Sequence, residues 1–106
     1  MQLQELLDFV DLTLQHAHLY RDADTTTRIF AQTAKLTEEV GELSSEILWH
    51  TWFVRKEKMA KYSPETLNDE FADVILVTFR LAKFMNIDIE SALKKKMIKI
   101  KERGGI

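Results

Sequence analysis

Cysteine is absent, so the chain has no disulfide frame, no thiolate nucleophile and no sulfur ligand for zinc. Three glycines and one proline in 106 residues leave few positions for turns, which favours a few long helices over many strands. Charge of one sign is lacking too: a net charge of −2 makes no field to draw in a nucleic-acid polymer or an anionic membrane. Val74–Phe79, the most apolar run, is far too short to span a bilayer. The opening Met1-Gln2-Leu3-Gln4-Glu5 has neither the basic region nor the apolar run of a secretory signal. A cytoplasmic helical protein, bound neither to membrane nor to nucleic acid, is the expectation. What the chain does have is a 45% apolar composition, including two Trp and six Phe. That supplies one core, so residues 1–106 read as a single domain small enough to gain from oligomerisation.

The chemistry is concentrated in two acidic stretches, Glu38-Glu39-Val40-Gly41-Glu42 and Glu70-Phe71-Ala72-Asp73, with 27 residues between them. Residues three apart on a helix share a face, so each stretch offers a forked pair of oxygen ligands. Glu39 with Glu42 and Glu70 with Asp73 together suit a hard divalent cation, Mg²⁺ or alternatively Mn²⁺.

Periodicity places these pairs on helices. Leu3, Leu6, Leu7, Val10, Leu14 and Ala17 predict a first helix over about residues 2–20. Thr25, Thr26 or Thr27 is then placed to cap a second helix, from about Arg28 to Lys56. At ~100° per residue, Ile29, Leu36, Val40, Leu43, Ile47 and Val54 form its apolar arc. Glu39, Glu42 and Glu46 lie beside that arc with Gln32, Lys35 and His50, rather than opposite it. Gly41 among them is costly in a helix interior and suggests close approach by another helix or a ligand. Ser63 and Pro64 mark the start of a third helix running to about Met85. Glu70 falls in that helix's core-facing arc with Val74, Val77 and Leu81, a costly place for a carboxylate that is neither paired nor bound to metal. Asp88 is placed to cap a last helix with Ile89, Leu93, Met97 and Ile100 on its apolar face, ending in a frayed Gly104-Gly105-Ile106. The class is all-α, a bundle of four to five helices.

The 27-residue spacing poses a register problem. A plain antiparallel hairpin turning near Met59–Ser63 would leave the two acidic pairs roughly 12 Å apart. The second helix is therefore expected to overshoot, or to break near Leu48–Thr51. Either way Trp49, Trp52 and Phe53 project beyond the acids, as a subunit interface or as a stacking surface for a base. A homo-oligomer, a dimer or a tetramer built as a dimer of dimers, accounts for that projection.

No Glu-x-x-His pair for a di-iron centre, no Ser-His-Asp set and no phosphate-binding glycine loop is present. What remains is an all-carboxylate site with Lys and Arg along the last helix. Lys35-Leu36-Thr37-Glu38-Glu39-Val40-Gly41-Glu42-Leu43 followed by Asp69-Glu70-Phe71-Ala72-Asp73-Val74 resembles the MazG-like nucleoside triphosphate pyrophosphohydrolases over roughly residues 28–103. The resemblance implies an all-α, Mg²⁺-dependent enzyme that hydrolyses an NTP or, as the favoured family-level substrate, a dNTP, to the monophosphate and pyrophosphate. A role in nucleotide-pool house-cleaning goes with it. It implies metal ligation by Glu39, Glu42, Glu70 and Asp73, and phosphate contacts from Lys96, Lys99 and Arg103; Lys35 is a further candidate for phosphate contact. Glu38 or Glu46 would act as the proton acceptor. Phe30, Trp49, Trp52 and Phe53 are the candidates for base contacts. The competing reading is a helical module that binds nucleotide or metal without turnover.

Overall fold

The computed structural model describes residues 1–16, 22–51 and 64–106. Among these residues it is all-α, with helices α1 (Leu3–Gln15), α2 (Thr25–Thr51), α3 (Pro64–Phe84) and α4 (Ile89–Gly104) and no strand. No helix among them is long and apolar enough to cross a membrane.

Local chemistry sets the helix ends. Asp24, rather than one of the three threonines after it, caps α2: its Oδ1 accepts from the Thr27 amide at 2.7 Å. That hydrogen bond holds the Asp24 carboxyl below its ordinary range. Asp24 stands just outside the helix, where its carboxylate can reach back to the orphan amides of the first turn, whereas the threonines already lie within that turn. α3 opens on Pro64, as the sequence predicts, and closes at Asn86, whose φ of 55° turns the chain left-handed. The Asn86 amide donates to Lys83 and the Ile87 amide to Ala82, so the last α3 carbonyls are satisfied. Asp88 then caps α4 through the Ser91 amide at 3.0 Å. Asp88→Ala should cost about 1 kcal/mol of α4 stability, read as faster amide exchange in its first turn, while Asp88→Asn should cost little. The C-terminus does not fray: Gly104 is helical, and Gly105 at φ 66° lets the Ile106 amide return to Lys101.

α2 and α3 form the central antiparallel pair, and α1 lies against α3. Val10 of α1 is fully buried, and Val77, Phe79 and Ala82 of α3 complete the buried apolar set among the described residues. Two polar contacts fix α1: Lys83 meets Asp11 at 3.1 Å, and the Arg80 guanidinium donates to Thr13 at 3.3 Å.

The face that α2 buries most deeply is not the apolar arc, of which Ile29, Leu36 and Leu43 are half-buried. The buried residues of α2 are Gln32, Glu39 and Glu46, spaced seven apart along the polar flank. Val40 and Ile47 of the expected arc stay 43% and 39% exposed. The polar flank wins because it faces α3, where Thr66, Glu70 and Asp73 receive it. On α4 no residue is buried, and Leu93, Met97, Ile98 and Ile100 are all exposed.

Candidate active site

The acidic pairs meet because α2 and α3 run in opposite directions in one continuous register. Thr66 donates to Glu46 Oε2 at 3.1 Å, and seven residues further on α3, Asp73 stands with Glu39, seven residues back on α2. α2 runs unbroken through Leu48–Thr51, so a break there is not how the register is met. The overshoot itself, with Trp52 and Phe53, lies outside the described residues.

Glu39, Glu70 and Asp73 each place a carboxylate oxygen within 4.8 Å of the others. Glu39 is only 5% exposed. Its Oε2 and Oε2 of Glu70 are shielded from solvent with no hydrogen-bond partner. Two shielded, unpartnered acceptors side by side are a costly arrangement in the metal-free protein. The cost appears directly in Glu70, whose pKa is pushed up to about 7 by burial first and then by the carboxylates of Glu42, Glu39 and Asp73. A hard cation would satisfy these oxygens at once, and the all-oxygen donor set is the one such a cation takes. The residues present thus fit a divalent metal.

Lys35 supplies part of the missing positive charge. Its Nζ lies 3.0 Å from Glu39 Oε1 and 3.7 Å from Glu38, and the hydrogen bond to Glu39 raises the lysine's pKa. Glu42 falls outside the close group; it is exposed and lines an adjoining cavity of about 390 Å³ with Glu38, Gly41, Ser45, Glu46 and Glu70. Gly41 is not a point of helix contact, since a Cβ built there would meet nothing within 4 Å. It widens the cavity floor together with Ser45.

Glu46 is buried at 7% exposure and is tied to His50, whose Nε2 lies 3.3 Å from the Oε2 that also accepts from Thr66. Glu38 is exposed. Thr66 carries no motif signal; its position two residues after the helix-starting Pro64 was the one hint that it would sit in the first turn, opposite α2. Lys96, Lys99 and Arg103 are exposed along α4, and none forms an ion pair with α2 or α3 among the described residues. Phe30 is 68% exposed and Trp49 half-buried, and neither lines the cavity.

A family model described as the MazG nucleotide pyrophosphohydrolase domain matches residues 30–104. The chain belongs to the MazG family. The matched stretch contains both acidic pairs and the basic residues of α4, whereas α1 precedes it. Nucleotide pyrophosphohydrolysis is the activity by which that family is described. The chain is also 34% identical over 73 residues to the uncharacterized protein YpjD of Bacillus subtilis (strain 168). That alignment covers 69% of this chain and 64% of the relative, a little under two thirds of its length. No solved structure matches.

Proposed function

We propose that this MazG domain is a Mg²⁺-dependent nucleoside triphosphate pyrophosphohydrolase, cutting between the α- and β-phosphates to give the monophosphate and pyrophosphate. The observation that supports it is the Glu39/Glu70/Asp73 group, with two shielded oxygens lacking partners, opening beside a cavity large enough for a phosphate chain. Glu39, Glu70 and Asp73 would hold the cation, and Glu42 completes the set from the cavity wall. When bound, Mg²⁺ (or Mn²⁺) supplies neutralisation of phosphate charge and polarisation of water. The chain's own residues do the rest. Lys35 meets phosphate at the rim, and a carboxylate of the cavity accepts the water's proton. Deoxynucleotides are the proposed substrates, with removal of unwanted ones from the cytoplasmic pool as the role. A screen of pyrophosphate release across common and oxidised NTPs and dNTPs, with Mg²⁺ and Mn²⁺, tests this. Turnover of at least one dNTP is expected, and metal-dependent nucleotide binding without pyrophosphate would leave the module reading in its place.

The same reading includes a homo-oligomer. Val40, Ile47 and Leu48 on α2, Phe71 and Ile75 on α3, and the α4 face of Leu93, Met97 and Ile100 are all exposed large apolar residues. Apolar residues exposed on three helices are what a contact between copies would cover. They form the surface of a dimer, or of a dimer of dimers, in which the basic border of α4 reaches a substrate phosphate. Light scattering at micromolar concentration should give at least twice the chain mass, and Ile47→Glu with Met97→Glu should lower it. A monomeric parent would refute the assembly.

A further inference from the structure

Two glutamates compete for the proton of the attacking water, and the structure treats them very differently. Glu38 has a side chain 57% exposed and meets Lys35 at 3.7 Å. Glu46 lines the same cavity but is buried, with its Oε2 accepting from the Thr66 hydroxyl on α3 and standing 3.3 Å from His50 Nε2 on the next turn of α2. A proton acceptor works when its geometry is fixed before the reaction, and a side chain already ordered gives up little entropy at that moment. A buried carboxylate with two polar neighbours on one oxygen, one of them from the opposite helix, is a fixed group.

We propose that Glu46 is the proton acceptor of the hydrolysis and that Thr66 and His50 are its positioning residues. The inference rests on the pyrophosphohydrolase reading above. In the step, the water oxygen forms a bond to the α-phosphorus while the bond from that phosphorus to the α–β bridging oxygen breaks. Pyrophosphate leaves with that bond's electron pair, and the water proton passes to the Glu46 carboxylate. Among the described residues the charged and titratable groups that share Glu46's surroundings are His50, Glu42 and Glu38 on its own helix and Glu70 across the cavity on α3. Thr66, the direct contact from α3, is neutral.

The test is steady-state pyrophosphate release by the full chain on a dNTP that the parent turns over, with Mg²⁺ stabilisation of the same variants followed by thermal melting. Glu46→Gln should lower kcat by about 10²–10⁴-fold, the usual contribution of a positioned acid or base, with KM and the Mg²⁺ response retained. Thr66→Val should lower kcat about tenfold and move the acidic limb of the pH–kcat profile to higher pH, because a carboxylate that loses a donor is harder to ionise. Thr66→Ser should restore both, which a purely structural threonine would not require. His50→Ala should shift the limb in the same direction, and His50→Gln should restore part of it. If Glu46→Gln melts early, Glu46→Asp, which withdraws the carboxylate by one methylene, carries the same expected loss. Three results would overturn the assignment: a Glu46→Gln enzyme within threefold of the parent, a variant that loses its Mg²⁺ response along with its activity, or an acidic limb removed by Glu38→Gln instead. A parent that releases no pyrophosphate from any nucleotide overturns the broader reading as well, whereas an active parent beside an unaffected Glu46→Gln sinks only this inference.

Discussion

Asp73→Asn should melt at a higher temperature than the parent in EDTA and yet lose about three orders of magnitude of pyrophosphate release, ~4 kcal/mol in the barrier. The two effects have one cause. Without a cation, Asp73 adds a negative charge to a group whose carboxylate oxygens lie within 4.8 Å of one another. Two full charges at that spacing repel by ~3 kcal/mol at an effective dielectric of 20, and the raised pKa of Glu70 already removes part of this. Relief of the remainder should be about 1 kcal/mol, or several degrees in a domain of this size. With a cation, the same oxygen becomes a ligand, and its loss weakens both the binding and the charge neutralisation on which phosphoryl transfer depends. Glu39→Gln should repeat the pattern with a smaller gain in stability, because it also releases Lys35 from its 3.0 Å contact. Opposite signs in stability and activity separate a binding site from a packing position, where both would fall together. Turnover by Asp73→Asn within tenfold of the parent, measured as pyrophosphate release under saturating Mg²⁺, would remove Asp73 from the site.

The helices, the start of α3 at Pro64, the cap of α4 at Asp88, and the need for the acidic pairs to meet could all be read from the sequence, because each depends on local periodicity and on spacing along one chain. The inward face of α2 could not. Hydrophobic periodicity assigns burial to the Val40/Ile47 arc, and it does so on the assumption that apolar residues point at the chain's own core. Here the polar stripe of Gln32, Glu39 and Glu46 points at α3 instead; Ile29, Leu36 and Leu43 of the arc are half-buried beside it, and Val40 and Ile47 are left outside. An assembly that covers the arc would reconcile the two, and such a surface leaves no distinct mark in a single sequence. Glu70 was the clearest ligand candidate by its arc position, yet Glu39 is the more deeply buried of the two. The Thr66–Glu46 contact was invisible for a related reason, since only the antiparallel register brings together residues 20 apart in the chain.

Stability of the metal-free protein should fall as pH rises through neutrality, and Mg²⁺ should cancel that fall. Glu70 ionises near 4.5 in an unfolded chain and at about 7 in the fold. Between those values the folded state holds a proton that the unfolded state has released. Its contribution is fully present below pH 4.5 and is lost as pH climbs past about 7. Mg²⁺ competes for the same oxygen, so its binding should expel close to one proton at pH 6 and almost none at pH 8. Affinity should then rise about tenfold per pH unit up to neutrality and level off above it. At a concentration 100 times its dissociation constant, Mg²⁺ should add ~2.7 kcal/mol, a shift of roughly ten degrees or more in melting temperature. Titration calorimetry in two buffers of different ionisation enthalpy reads the released proton directly, and melting curves at pH 6, 7 and 8 with and without Mg²⁺ read the stability. Glu70→Gln should abolish the proton release and flatten the metal-free curve. A Mg²⁺ affinity that stays constant from pH 5.5 to 7 in the parent would show that Glu70 is not where the cation binds.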